Sequence, residues 1–289
     1  MNRELVNFFL DHLRIERRLS GHTVSSYATD LDQFLAFIEP EMLSQIKAQQ
    51  IRNWLISLSD DSIQNRSINR KLATLRTFFK FLVRRADIPE NPMGSIKMIK
   101  VSKKLPQFIR ESDMQGLWEQ SPNTESSFTE VRDQLILYLL YGTGIRLAEL
   151  ISLQKSHINL LNNTIRVLGK RNKERIIPIP ALISDWILRY QSLCTYEHTH
   201  LLLTDKGEKL YPMFVQRLVK KQLGDISTLE KLSPHVLRHT YATHLLNRGA
   251  DLNAIKELLG HANLAATQVY THNSMEKMKE IYQQAHPKA

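Results

Sequence analysis

Three stretches of this 289-residue chain collect side chains able to bind and attack an anion. In SPHVLRHTYATH (233–244), Ser233 is a good helix N-cap and Pro234 a good first helical residue. His235 and Arg238 then fall in the opening turn, three apart on one face. A helix N-terminus carrying an arginine and a histidine suits a phosphate or carboxylate. In KELLGHANLAATQVYTH (256–272), Gly260 ends a helix, His261 follows directly, and Tyr270 comes nine residues later. In GTGIRLAEL (142–150), Arg146 stands between a glycine turn and a resuming helix. Taken singly, Arg146 reads more readily as a surface charge, His261 as a cap histidine and Tyr270 as a core aromatic. Only their joint pattern points to a site.

Several other chemistries fail on inspection. No G-x-x-x-x-G-K-[ST] phosphate loop is present, and GTGIRL has Leu147 where a dinucleotide fingerprint needs its third glycine. His235 and His239 have metal-ligand spacing. The residues between them are Val-Leu-Arg, without the glutamate of a metalloprotease, and a cationic arginine disfavours a metal. No metal and no cofactor is expected.

The elements that must position these residues are mostly helical. Leu5, Phe8, Phe9 and Leu13 recur at helical spacing, as do Val24, Tyr27, Leu31, Phe34 and Leu35 after a start at Ser20-Gly21-His22-Thr23. A third helix covers roughly 47–58. The fourth, roughly 65–85, sets Ile68, Leu72, Leu75, Phe79 and Leu82 on one face. Arg66, Arg70, Lys80 and Arg84 lie opposite, with Ala73 and Thr77 between them. Such a ridge suits lying along phosphates, and an ordinary surface helix would mix in glutamate.

After Ile88-Pro89-Glu90-Asn91-Pro92, the basic stretch GSIKMIKVSKKLP (94–106) reads as an extended linker. Beyond it, Ser112-Asp113 begins a helix with Met114, Leu117 and Trp118 inward, and another helix covers 129–141. IRVLGKRNKERIIPIP (165–180) alternates Ile165 and Val167, then Ile177 and Ile179, around a polar turn, which predicts a β-hairpin and the only convincing one. Helices return over 181–193, 212–223 and repeatedly from Ser233. In the tail, Met275, Met278, Ile281, Tyr282 and Ala285 form an apolar stripe behind Ser274, an amphipathic helix in need of a groove.

Composition bounds the rest. At 42% hydrophobic and 24% charged the chain is globular, and its length fits about two domains. Cys194 is the sole cysteine, which excludes an internal disulfide and fits a reducing compartment. The longest apolar run, Leu135 to Tyr141, is far too short to span a membrane. Arg3, Glu4 and Asp11 come too early for a signal peptide, so the expectation is a soluble cytoplasmic protein. The net charge of +10 favours polyanions. Twelve Lys/Arg against four Asp/Glu fall within residues 51–106, a candidate nucleic-acid footprint.

With these residues in hand, the chain closely resembles the Xer group of tyrosine recombinases. The resemblance is carried by GTGIRLAEL (142–150), GKRNKERIIPIP (169–180) and LSPHVLRHTYATHLLNRGADLNAIKELLGHANLAATQVYTH (232–272), with AHPKA (285–289) at the end. It implies a mainly α, two-domain DNA clamp. Residues 1–93 would form a helical SAM-like core-binding domain and 94–106 a basic linker. Residues 107–289 would form an α-rich catalytic domain with a small sheet and a tail helix. It places the active site on Arg146, Lys170, His235, Arg238, His261 and Tyr270. One departure is Arg171, where the family usually carries glycine in the hairpin turn.

The implied chemistry explains those residue types. Reversible strand cutting needs a protein nucleophile that stores the phosphodiester bond, so Tyr270 would form a 3′-phosphotyrosine and free a 5′-hydroxyl. Arg146 and Arg238 would clamp the non-bridging oxygens of the transition state. Lys170 would protonate the leaving oxygen, His235 would assist deprotonation of Tyr270, and His261 would donate to the phosphate. Bond energy stays in the protein–DNA link, so neither ATP nor metal is called for. Implied partners are a double-stranded recombination site, a homo- or heterotetramer with a related recombinase, and a septal DNA translocase of the FtsK type. The implied role is chromosome dimer resolution. A mobile-element integrase or transposase of the same family is the nearest rival, a type IB topoisomerase shares the chemistry, and an idle architectural DNA-binding protein is the rival from another class.

Overall fold

The structure is a computed structural model that describes residues 2–102, 107–118, 125–169 and 174–260. Lys170, Arg171, His261, Tyr270 and the tail stripe from Met275 to Ala285 lie outside the described residues. The chain divides into two compact units, residues 1–104 and 105–289.

The first unit is helical. It runs α1 (Asn2–Asp11), a π-helical turn (His12–Glu16), α2 (Gly21–Ile38), α3 (Ala48–Asp60) and α4 (Asn65–Arg84). The Ser20 hydroxyl accepts from the Thr23 N–H and so starts α2 where the sequence predicts. Helix α4 packs on the other three. Its five expected apolar residues are all buried, joined by Phe78. Phe34 meets Trp54 edge-on at 5.0 Å, and Phe9 meets Phe78 at 5.2 Å. Phe8, expected inward, is 53% exposed with the Arg85 guanidinium 4.7 Å above its ring. The helical stripe is narrower than the spacing implied, and Phe8 lies at its edge.

Helix α4 also buries polar residues. Asp30 of α2 is fully buried and accepts from Arg70 (2.5 Å), Lys71 (3.1 Å) and the Thr74 hydroxyl (2.9 Å). Lys71, 4% exposed, also donates to Gln33. Desolvating such ions costs several kcal/mol each, which only a fully partnered arrangement offsets.

The second unit is α-rich with a small sheet. It contains α5 (Glu111–Trp118), α6 (Phe128–Thr143), α7 (Leu147–Ser152), α8 (Ala181–Leu193), α9 (Pro212–Gly224), α10 (Pro234–Asn247) and α11 (Leu252–Leu259). Ser127 and Glu130 cap α6 reciprocally, at 3.3 and 2.8 Å. Helices α8 and α10 both pack against α6, which accounts for its nearly continuous burial from Leu135 to Ile145. The hairpin predicted from alternation is β2 (Thr164–Leu168) and β3 (Glu174–Pro178), with Ile165 opposite Ile177 and Val167 opposite Arg175. A short β1 (Ile158–Asn159), absent from the expectation, pairs with β2 and makes an antiparallel order β1-β2-β3. Two residues are too few to show alternation.

Two features fix α10. Pro234 sits at its first turn as predicted, but Ser233 makes no side-chain cap bond. Buried His244 accepts from Tyr141 at Nδ1 (2.8 Å) and donates from Nε2 to the Ile109 carbonyl (2.9 Å). Burial lowers its pKa and keeps it neutral. The Ile109 N–H in turn donates to Thr240 (3.0 Å), so the start of the unit is stitched to α10. No described helix is long and apolar enough to cross a membrane.

Candidate active site

Arg146 owes its place to a sharp chain reversal. Helix α6 stops at Gly144, which adopts the left-handed conformation (φ 60°). A Cβ there would fall 2.5 Å from Cδ1 of Tyr241, so both the backbone and the packing demand glycine. Arg146 is then the N-cap residue of α7, and Glu149 in the first turn reaches back to its N–H at 2.8 Å. The same carboxylate accepts from the Arg146 guanidinium at 2.8 Å.

Arg238, one turn into α10 and 8% exposed, approaches from the other side. It donates to the Gly144 carbonyl and, at 2.6 Å, to the Leu259 carbonyl. A third arginine completes the group. Arg175 of β3, 4% exposed, holds both oxygens of Glu149 (2.9 and 2.8 Å) and donates from Nε to the Leu258 carbonyl (2.8 Å). Arg146 also donates to the Gly260 carbonyl at 2.8 Å. Three successive carbonyls at the end of α11, those of Leu258, Leu259 and Gly260, thus accept from Arg175, Arg238 and Arg146 respectively. Those carbonyls are the unsatisfied, negative end of the helix, so cations are its natural caps. Asp251 starts this helix by accepting from the N–H groups of Asn253 and Ala254, and Gly260 (φ 64°) ends it as the sequence predicts.

The electrostatics separate these groups. Burial pushes the Glu149 carboxyl up, but the Arg175 fork and charge, with Arg146 behind them, hold it down at about 2. Arg238 contacts carbonyls, and burial followed by repulsion from Arg146 and Arg175 lowers its pKa to about 10. It stays charged at neutral pH. Three guanidinium groups around one carboxylate leave the cluster with two excess positive charges, suited to a dianionic or transition-state phosphate.

The structure thus brings Arg146 and Arg238 together, and His235 lies exposed on α10 one turn before Arg238. Lys170, His261 and Tyr270 lie outside the described residues. Arg175 and Glu149 escaped the sequence reading, although each left a trace. Arg175 shares strand parity with Ile177 and Ile179, so alternation marks it as inward, and Glu149 stands three residues after Arg146 in a first helical turn. Among the described residues, no group of three His, Cys, Asp or Glu side chains could hold a metal ion.

On the first unit, Arg66, Lys80 and Arg84 are exposed along α4 with Ala73 and Thr77 between them. Arg70 differs, because its guanidinium is paired with Asp30 and its side chain is half exposed. Exposed Arg76, also on α4, donates to the Ile96 carbonyl at 2.9 Å. A groove of about 600 Å³ beside this face is lined by Arg17, Tyr27, Arg76, Thr77, Lys80 and Arg84 among others.

Comparison with known proteins agrees with the mostly helical, two-unit fold. Residues 107–277 match the phage integrase family and residues 6–86 the phage integrase N-terminal SAM-like domain. The chain is 35% identical to the tyrosine recombinase XerC of Chlorobaculum parvum, over 97% of this chain and 94% of that one. It is 37% identical to XerC of Staphylococcus aureus strain JH9, covering 97% and 96%. In fold it is similar to a lambda integrase dimer bound to a core site, with a TM-score of 0.71 and 17% identity over 90% of this chain and 94% of that one. It is likewise similar to the XerH recombinase on its palindromic substrate, with a TM-score of 0.71 and 21% identity over 97% and 83%. A mostly helical two-unit chain with a three-stranded sheet, matched end to end by such relatives, belongs to the phage integrase family, the tyrosine recombinases that cut and rejoin DNA.

Proposed function

We propose that this protein is a site-specific recombinase acting on double-stranded DNA through Arg146, Lys170, His235, Arg238, His261 and Tyr270. The observation that carries the reading is the meeting of Arg146 and Arg238 at one helix end, in a cluster of three guanidinium groups that the single Glu149 carboxylate leaves with excess positive charge. A phosphodiester entering there meets two planar forks that are charged at any working pH. His261 and Tyr270 follow that helix end by one and ten residues, and ten residues of chain reach at most about 35 Å. Attack by the Tyr270 oxygen breaks the bond from phosphorus to the 5′-oxygen, whose leaving electron pair takes a proton from Lys170. His235 takes the tyrosine proton. The 3′-phosphotyrosyl bond keeps the energy needed for religation.

The cellular role is resolution of chromosome dimers, on a site shared with a related recombinase in a tetramer and with a septal DNA translocase. The curated relatives named XerC at 35–37% identity support this reading. The basic α4 face would hold the duplex, with Arg66, Lys80 and Arg84 on phosphates and Arg70 beside them. Trapping covalent protein–DNA adducts in cells and sequencing the attached ends tests the proposal. One locus near the replication terminus supports it. Adducts confined to the ends of a mobile element contradict the chromosomal role, and the absence of adducts contradicts the enzyme.

A further inference from the structure

Glu149 is the unusual member of the cluster, a carboxylate buried beside the two arginines that must meet phosphate. Left alone with Arg146, it would attract that guanidinium into a two-pronged pair, the preferred geometry of arginine on carboxylate. Instead its oxygens are shared. Oε1 accepts from Arg146 and Arg175, while Oε2 accepts from the Arg146 N–H and Arg175. Arg146 keeps one prong on Glu149 and lays the other on the Gly260 carbonyl.

We infer that Arg175 is a positioning residue for Arg146, acting through the Glu149 carboxylate. The inference rests on the assignment of Arg146 as a phosphate clamp. Arg175 itself is 4% exposed, and all three of its guanidinium nitrogens are engaged within the protein. It neutralises Glu149, so the charges of Arg146 and Arg238 remain available to an anion. It also ties three segments at one point: β3, the first turn of α7 and the end of α11. A buried carboxylate that loses one of two cationic partners turns to the other. Loss of Arg175 would therefore draw Arg146 onto Glu149 and away from Gly260. A shift of about 1 Å at a clamping group is enough to cost about 10²-fold in rate.

The test is single-turnover formation of the covalent intermediate on a nicked suicide duplex, at saturating full-length protein and well below the melting temperature. Arg175→Met is expected to slow cleavage about 10²-fold while DNA affinity changes less than about threefold. Arg175→Lys, which keeps the charge without the fork, should fall between. Adding Glu149→Gln to Arg175→Met removes the carboxylate that captures Arg146, and should restore at least about tenfold of the lost rate. A purely structural pair would not do this, since removing its second member restores nothing in the chemical step. If Arg175→Met fails to fold, Arg175→Lys with and without Glu149→Gln makes the same comparison. Wild-type cleavage by a folded Arg175 variant, or no relief from Glu149→Gln, overturns the inference. Arg146→Gln is measured alongside: normal cleavage by that variant removes the clamp assignment itself, whatever Arg175 does.

Discussion

Arg146 and Arg238 stand on different helices yet donate to neighbouring carbonyls of a third, those of Gly260 at 2.8 Å and Leu259 at 2.6 Å. The end of α11 therefore holds the two guanidinium groups together. The next residue is His261, so under the proposed assignment the helix end that holds both arginines continues in sequence into the segment that carries Tyr270.

Arg238→Lys keeps the charge but loses the second prong, so either Gly144 or Leu259 is released and, in the proposed site, a phosphate loses a donor. Single-turnover cleavage should fall 10²–10³-fold, about 3–4 kcal/mol of barrier, with DNA affinity little changed. Equal losses in affinity and rate would make Arg238 a binding residue only.

The depressed Glu149 pKa has a stability consequence. A carboxyl held at about 2 in the folded protein, against an ordinary value of 4.5, stabilises the fold fully above pH 4.5. That contribution, about 3 kcal/mol, fades as pH falls toward 2. Wild type should exceed Glu149→Gln in stability at pH 7, and the gap should close between pH 4.5 and 2. Denaturant titrations at several pH values check this, and a gap independent of pH would contradict it.

Gly144→Ala forces an L-residue to φ 60° and sets a methyl carbon against the Tyr241 ring. Left-handed strain of about 1–2 kcal/mol adds to overpacking of about 1–3 kcal/mol. The melting temperature should drop by several degrees, and cleavage should fall further as the carbonyl that receives Arg238 shifts.

The folded core of each unit was largely legible in the sequence. The α4 face from Ile68 to Leu82, the Ser20 start, the Gly260 stop and the hairpin of β2 and β3 follow from periodicity and cap chemistry. Pairings between segments were not legible. Arg70 reads as a ridge residue in a helical projection, and only the fold brings Asp30 beneath it, forty residues earlier. Arg175 likewise finds Glu149 twenty-six residues away. Periodicity reports which way a side chain points and is silent about which distant ion it meets.

That difference on α4 is measurable. Alanine at Arg66, Lys80 or Arg84 should each flatten the log–log salt dependence of DNA binding by about one unit per phosphate contact. Alanine at Arg70 should do less to the slope and more to stability, because it leaves Asp30 with fewer donors. An unchanged slope in the triple variant of Arg66, Lys80 and Arg84 would show this face to be merely solvated.

In the proposed chemistry the paired arginines serve a tyrosine ten residues beyond Gly260. The most direct measurement is mass spectrometry of the protein–DNA adduct formed on a nicked suicide duplex, after proteolysis. The DNA-linked peptide should be the tryptic segment from Glu257 to Lys277, with the nucleotide remnant on Tyr270, and Tyr270→Phe should yield no adduct. A remnant on any other residue, or a persistent adduct in Tyr270→Phe, would contradict the assignment of Tyr270 as the nucleophile.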